Sequence, residues 1–274
     1  MSRKFYALND ENTLDCNLTE LNASEAEEKG YQTHNDWLAH NDRYAYVWKN
    51  LAMGPKKLKE AKTLLDVGCG KLQLPHFFWR NKYSPAEDFQ YWGLELRATE
   101  KWLDAVGWKR AINLVKCDLV LDDIPARIPE FPAQFDVVVC FETFEHVPRA
   151  MGPRLMQNLF NWTKPGGTVF FSTPNAGVSD STADNHIGPD GISREWSYED
   201  KLALARSTGF NIIETFGTFC GTTRLPEEVQ ERIKTDPFLA KIKKYHTHAR
   251  FTTFMSVAYP EFSNNALFHM ERPA

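Results

Sequence analysis

The middle of the chain alternates between short apolar runs and longer stretches with helical spacing. The runs are Thr63–Val67, Gln90–Glu95, Ile112–Cys117, Phe135–Phe141 and Thr168–Ser172. Several are continuously apolar, as parallel strands covered on both faces require. Between them the spacing changes: Leu155, Met156, Leu159 and Phe160 form a stripe suited to a helix packing one face on a sheet. Pro75 stands at a favourable helix start, and Thr99 at a capping position for the next helix. A last helix is marked at both ends. Ser197 and Asp200 make a capping box, Leu202 and Ala205 face inward, and Gly209 stops it. Phe210–Phe216 and Asn265–Arg272 read as two more strands. The pattern predicts an α/β protein with a doubly wound, seven-stranded, mostly parallel sheet. Its ligand site should lie beyond the carboxyl ends of the strands.

Two regions stand outside this alternation. Residues 1–62 begin irregularly, then Ser24 with Glu27 reads as the capping box of a short helix closed by Gly30. Asp42 would cap a following helix with Tyr44, Val47, Trp48 and Leu51 at i, i+3, i+4 and i+7, ended by Gly54-Pro55. That stripe has two readings: packing against the core, or a lid over the active site carrying Trp37, His40 and Tyr44. Gly217 to Asn264 is too long for a hairpin turn and contains helix-like segments at Pro226–Thr235 and Pro237–Tyr245. The predicted organisation is a helical cap or lid over 1–62, a core over 63–216, a helical insertion over 217–264 and a final core strand over 265–274.

Composition narrows the class. At 274 residues, 42% apolar and 25% charged, the chain has the make-up of a folded globular protein. Cys16, Cys69, Cys117, Cys140 and Cys220 are scattered with no C-x-x-C pair, which speaks against a disulfide framework or zinc ribbon and for a reducing compartment. No apolar run follows Met1-Ser2-Arg3-Lys4-Phe5, and no window approaches the ~20 apolar residues of a membrane span. The expectation is a cytoplasmic protein with no membrane partner. A net charge of −4 does not supply the phosphate neutralisation behind non-specific nucleic-acid binding. The basic stretch around Lys234–Lys244 and Arg250 reads as a solvated helix face, with a local patch as the alternative.

The first apolar run ends in Leu64-Leu65-Asp66-Val67-Gly68-Cys69-Gly70-Lys71. Glycines at 68 and 70 let the backbone turn sharply and meet a ligand where a Cβ would collide. Glu95 ends the second run, where an acid can accept both hydroxyls of a ribose. Asp118 closes the third in Lys116-Cys117-Asp118-Leu119, and Thr163-Lys164-Pro165-Gly166-Gly167-Thr168 precedes the fifth. In this order the motifs resemble those of the class I S-adenosylmethionine-dependent methyltransferases, over residues 60–216 and the final strand. The resemblance implies that Asp66, Gly68, Cys69, Gly70, Glu95, Leu96, Asp118, Leu119 and Phe141 bind S-adenosylmethionine. Asp118 would face the adenine amino group. One departure stands out: the family's third loop glycine is absent, with Lys71 and Leu72 in its place. A variant clamp for the amino-acid end of the cofactor, or a loop that has lost the cofactor, would explain it. A nicotinamide site would want G-x-G-x-x-G, but position 73 is Gln and no glycine follows until Gly93.

The acceptor side reads Phe141-Glu142-Thr143-Phe144-Glu145-His146-Val147-Pro148. It lacks the Asp/Asn-Pro-Pro-aromatic tetrad and the Pro-Cys pair of base methyltransferases. It resembles small-molecule O-methyltransferases, including those of ubiquinone biosynthesis, and the 3′-terminal 2′-O-methyltransferases of small RNAs. The resemblance implies an acid-x-x-acid-His segment that in some members holds a divalent metal. Starting a helical turn, Glu142, Glu145 and His146 would share one face, and His186 would join from downstream of the fifth strand. Two carboxylates and two imidazoles suit Mg²⁺, Mn²⁺, Fe²⁺ or Zn²⁺. Without a metal, His146 would be the general base and Glu145 would orient it. Arg194-Glu195-Trp196 resembles a further acceptor-side segment, with packing of Trp196 as the plainer reading. The expected function is methyl transfer to oxygen of a small-molecule acceptor. A ribose hydroxyl of a nucleotide or nucleic acid, or a non-catalytic binding module, are the alternatives. The oligomeric state is not legible.

Overall fold

A computed structural model describes residues 2–8, 34–177, 186–188 and 191–274, with 34–40 followed by backbone alone. The capping box at Ser24 and Glu27, the stop at Gly30 and the side chains of Trp37 and His40 lie outside the described residues. Eight strands form one sheet in the order β1-β4-β3-β2-β5-β6-β8-β7. They are β1 (Arg3–Ala7), β2 (Thr63–Val67), β3 (Gln90–Glu95), β4 (Ala111–Lys116), β5 (Phe135–Phe141), β6 (Thr163–Pro174), β7 (Asn211–Thr218) and β8 (Asn265–Glu271). All neighbours run parallel except β8, which is antiparallel to both β6 and β7.

The expected seven strands are present, and β1 makes an eighth. It opens with Arg3 and Lys4, so no apolar run marks it. Backbone pairing with β4 and stacking of Tyr6 on Trp92 at 5.7 Å hold it at the edge. Arg3 also donates to the carbonyls of Leu103 and Val106. As an edge strand it leaves one side unpaired, and its residues are exposed or half-buried.

Alternation along the strands divides the core. Leu65 and Val67 of β2 face one cluster with Trp92, Leu94, Val138, Cys140, Val169 and Phe171. Leu64 faces the other with Tyr91, Ile112, Leu114, Val137, Val139 and Phe170. Each fully buried side chain of this kind contributes about 1.5–3 kcal/mol. Helix α1 (His34–Met53) covers the second face through Val47 and Leu51, together with α2 (Gln73–Arg80) through Leu74 and Phe78. Asp42 therefore lies inside α1 rather than at its cap. Pro75 falls in the first turn of α2, where a missing N–H breaks no helical bond. Helix α3 (Lys101–Ala105) has Glu100 at its N-cap with no side-chain bond, so Thr99 is one residue too early. On the first face, α4 (Gly152–Trp162) buries Leu155, Met156 and Leu159 as its stripe predicts.

Helix α5 (Tyr198–Thr208) keeps both of its predicted ends: Ser197 Oγ accepts from Asp200 N at 3.0 Å, and Gly209 closes it at φ +110°. The insertion folds into α6 (Glu227–Thr235), α7 (Pro237–Tyr245) and a further helix, α8 (His248–Ala258), around Cys220, Leu225, Val229, Ile233, Phe251 and Met255. Among the described residues no helix is long and apolar enough to cross a membrane.

From β2 the chain steps outward through β3 to β4, then returns to place β5 on the other side of β2. That reversal opens a crevice beyond the carboxyl ends of β2 and β5.

Candidate active site

Both glycines of the β2 loop adopt left-handed backbone, at φ +74° for Gly68 and +50° for Gly70. A Cβ on Gly68 would stand 2.0 Å from Thr143 Oγ1, because the loops after β2 and β5 lie against each other there. A Cβ on Gly70 would meet nothing within 4 Å, so this turn faces open space. The N–H groups of Gly68 and Cys69 both donate to Leu94 O, at 2.8 and 3.0 Å, which ties the loop to β3. Glu95 accepts from Gly70 N and Arg97 N, each at 3.2 Å. Leu72 is itself left-handed, at φ +61°, a backbone that favours glycine, yet its side chain is wholly buried. The leucine adds packing to the second core cluster.

The remaining residues expected on the cofactor side lie at or just beyond the carboxyl ends of β2 to β5. Asp66 is buried and accepts from Tyr91 OH at 2.6 Å; burial raises its pKa to about 7, against the pull of that hydrogen bond. Burial likewise raises Glu95. Asp118 Oδ1 accepts from Val120 N and Leu121 N at 2.8 and 2.9 Å, so this oxygen closes the turn after β4. Leu96 and Leu119 are half-buried, and Leu119 packs against the core. Phe141 is buried beneath Tyr44 of α1, ring centroids 6.1 Å apart, and Tyr44 OH donates to Gln73 Oε1 at 3.2 Å. Helix α1 thus reaches the end of β5 and the start of α2 with Tyr44 while packing the core with Val47 and Leu51.

After β5 the chain does not begin a regular helix. Glu142 has φ +50°, and a single 3₁₀ turn follows at Phe144–His146. A left-handed residue followed by a tight turn breaks the i, i+3, i+4 alignment. Glu142 consequently leaves the expected metal set. Its carboxylate pairs with Arg43 of α1 at 3.0 Å and accepts from Ser172 Oγ at 2.9 Å and Asn265 Nδ2 at 2.5 Å. The other three expected ligands converge: Glu145, His146 and His186 bring donor atoms within 4.8 Å of one another. Glu145 is buried and accepts from Thr173 Oγ1 at 2.8 Å; burial and the Glu142 charge push its pKa up to about 8. The His146 and His186 rings meet edge to face at 5.1 Å. Burial alone would lower His186, but its hydrogen bond to Glu195 and the neighbouring carboxylates outweigh that and raise it.

Several residues here carried no sequence signal. Arg43 reaches Glu142 across 99 positions, and Thr173 reaches Glu145 across 28. Lys201 of α5 is buried with its ammonium on Thr173 O, Pro174 O and Asn175 Oδ1, and burial lowers its pKa to about 7. The capping box explained why α5 starts where it does, but its first turns gave no sign of a buried lysine.

The sheet order, the glycine loop at the reversal and the acids beside it define a class I S-adenosylmethionine-dependent methyltransferase fold. The chain belongs to the methyltransferase-domain family, whose profile matches residues 38–215. It is 35% identical over 118 residues to the ubiquinone biosynthesis O-methyltransferase of Azoarcus sp. (strain BH72), 42% of this chain and 45% of that protein. It is 32% identical over 114 residues to the enzyme of the same name from Klebsiella pneumoniae subsp. pneumoniae, 42% and 43% of the two chains. The match thus spans less than half the length of these curated relatives. Among solved structures, the plantazolicin methyltransferase BpumL in complex with SAH superposes with TM-score 0.55 at 10% identity, covering 94% of this chain and 93% of that one. The Burkholderia thailandensis 1,6-didemethyltoxoflavin-N1-methyltransferase gives TM-score 0.54 at 13% identity, covering 92% and 85%. At these identities the likeness is one of fold.

Proposed function

We propose that this protein transfers the methyl group of S-adenosylmethionine to an oxygen of a small-molecule acceptor, with a divalent metal at Glu145, His146 and His186. The observation that carries this reading is the convergence of those three side chains within 4.8 Å at the end of β5, beside the Gly68–Gly70 loop. The two curated relatives, both named as O-methyltransferases of ubiquinone biosynthesis, support oxygen as the atom methylated.

The sulfonium methyl is already electrophilic, so the protein must align it with a nucleophile and help remove one proton. Gly68, Gly70 and Glu95 are assigned to the cofactor, with Gly70 leaving the space its ligand needs. One carboxylate and two imidazoles fit a transition ion better than Mg²⁺. A divalent cation held there would lower the pKa of a hydroxyl bound to it. Thr173 fixes Glu145, and Arg194 Nη1 holds the backbone carbonyl of His146 at 3.0 Å, so both side chains enter from braced positions. Without the metal, His146 would be the proton acceptor from the hydroxyl, with Glu145 beside it.

The test is transfer of labelled methyl from S-adenosylmethionine into a small-molecule cell extract, into RNA and into DNA, each with Mn²⁺ and with chelator. Labelling of the small-molecule fraction, abolished by chelator and restored by Mn²⁺, is the expected result. Labelling confined to RNA would move the acceptor to a ribose hydroxyl. Full turnover by protein shown to be metal-free would remove the metal from the reaction.

A further inference from the structure

Arg194 and Glu195 lie between two β-bridges, Ile187 with Ser193 and Asn175 with Trp196. Trp196 packs edge-on against Phe144 at 5.7 Å and beneath the Arg149 guanidinium at 4.5 Å. The two residues before it each hold one histidine of the cluster. Arg194 holds the His146 carbonyl, and Glu195 Oε1 lies 2.7 Å from His186 Nδ1. Glu195 is only 2% exposed, and its other oxygen, Oε2, is buried with no hydrogen-bond partner among the described residues. Its backbone is fixed as well, since Arg149 Nη1 donates to Glu195 O at 2.6 Å.

A neutral imidazole carries one proton, and an ionised carboxylate can only accept. The Glu195 contact therefore puts that proton on Nδ1 and leaves the lone pair on Nε2. Packing alone does not account for the carboxylate, because an amide or an apolar side chain would cost less to bury. What a carboxylate adds is charge behind the ring, which makes the far nitrogen a stronger donor.

We propose that Glu195 is a positioning residue for the candidate metal centre, fixing His186 as the Nδ1–H tautomer so that Nε2 is its donor atom. This rests on the metal reading above, and the experiment separates the two. Protein labelled with ¹⁵N in its histidines and freed of metal, at a pH high enough for the ring to be neutral, reports the tautomer of His186 by NMR, and Nδ1–H is expected. Mn²⁺ titration followed by electron paramagnetic resonance then compares wild type, Glu195→Leu and Glu195→Gln. Glu195→Leu should lose about 10–100-fold in Mn²⁺ affinity. Glu195→Gln should fall between, since its amide oxygen still accepts from Nδ1–H. Both should bind S-adenosylhomocysteine as wild type does, which controls for folding. An Nε2–H tautomer in the metal-free wild type would overturn the proposal even if Glu195→Leu fails to fold. Mn²⁺ affinity in Glu195→Leu within about threefold of wild type would overturn it too, being well short of the loss a positioning partner causes. A wild type that binds no Mn²⁺ sinks the metal reading itself.

Discussion

Gly68 and Gly70 share a left-handed backbone but differ in what a methyl group would meet. Alanine at either position pays roughly 1–2 kcal/mol for that backbone. At Gly68 the new Cβ also runs into Thr143, adding about 1–3 kcal/mol of overpacking. At Gly70 it enters open space on the side assigned to the cofactor. Gly68→Ala should therefore unfold at a clearly lower temperature than Gly70→Ala. Gly70→Ala should stay folded while S-adenosylhomocysteine affinity drops by about tenfold or more, roughly 1.4 kcal/mol. Calorimetry on the two variants distinguishes a structural glycine from a ligand-facing one; equal effects on stability and affinity in both would contradict the assignment. Glu145 gives a second residue-scale prediction. Burial and the Glu142 charge raise its pKa to about 8, and the carboxylates around His186 raise that group as well. Glu145 therefore holds a proton at neutral pH that a bound cation must displace. Mn²⁺ affinity should rise with pH through about 8, with protons released on binding. Titrations in buffers of different ionisation enthalpy measure that release, and a pH-independent affinity with none released would refute it.

Among the elements, α1 is joined to the candidate site by a buried ion pair. Arg43 is 2% exposed and Glu142 20%, and the pair spans from α1 to the end of β5. Removing one partner strands the other charge, which for buried pairs costs about 3–5 kcal/mol, whereas replacing both by uncharged groups often costs little. Arg43→Met and Glu142→Gln should each destabilise the protein, and the double variant should be less destabilised than their sum. A double-mutant cycle by denaturant unfolding reads this coupling; additive effects would show that the pair contributes nothing. The sequence reading located the apolar face of α1 from Tyr44, Val47, Trp48 and Leu51. It missed the role of Arg43 because an ion pair between distant positions leaves no periodic trace. It missed the orientation of Glu142 for a related reason: a single left-handed residue at a strand end is set by Ser172, Asn265 and Arg43, all remote in sequence.

At the scale of the whole molecule, legibility follows burial. Strands β2 to β6 were visible because both of their faces are covered, so their sequences are nearly unbroken apolar runs. Strand β1 was not, because one edge and much of its length meet solvent and Arg3-Lys4 opens it. Two helices of the insertion were visible from their prolines. The third, α8, was missed because no glycine or proline separates it from α7; its start is marked only by Thr247, whose Oγ1 accepts from Arg250 N as an N-cap. Long-range organisation at the insertion is nonetheless simple. Its ends meet where Asn264 N donates to Phe219 O at 2.9 Å, continuing the β7–β8 pairing, and its apolar residues form their own cluster. Residues 221–258 can therefore be replaced by a short Gly-Ser linker without removing a strand, while Pro260 and Ser263 still accept from Asn175 at 3.0 and 2.8 Å. The insertion also lies near α1: burial raises the Asp42 carboxyl of α1 against the opposing charges of Arg250 and Arg43. An insertion that shapes the acceptor side predicts a split outcome for this deletion: S-adenosylhomocysteine binds within about threefold of the full chain, under 1 kcal/mol, and methyl transfer to the acceptor is lost. Intact transfer would make the insertion a peripheral addition. Loss of S-adenosylhomocysteine binding in a protein that still folds would place it at the cofactor instead.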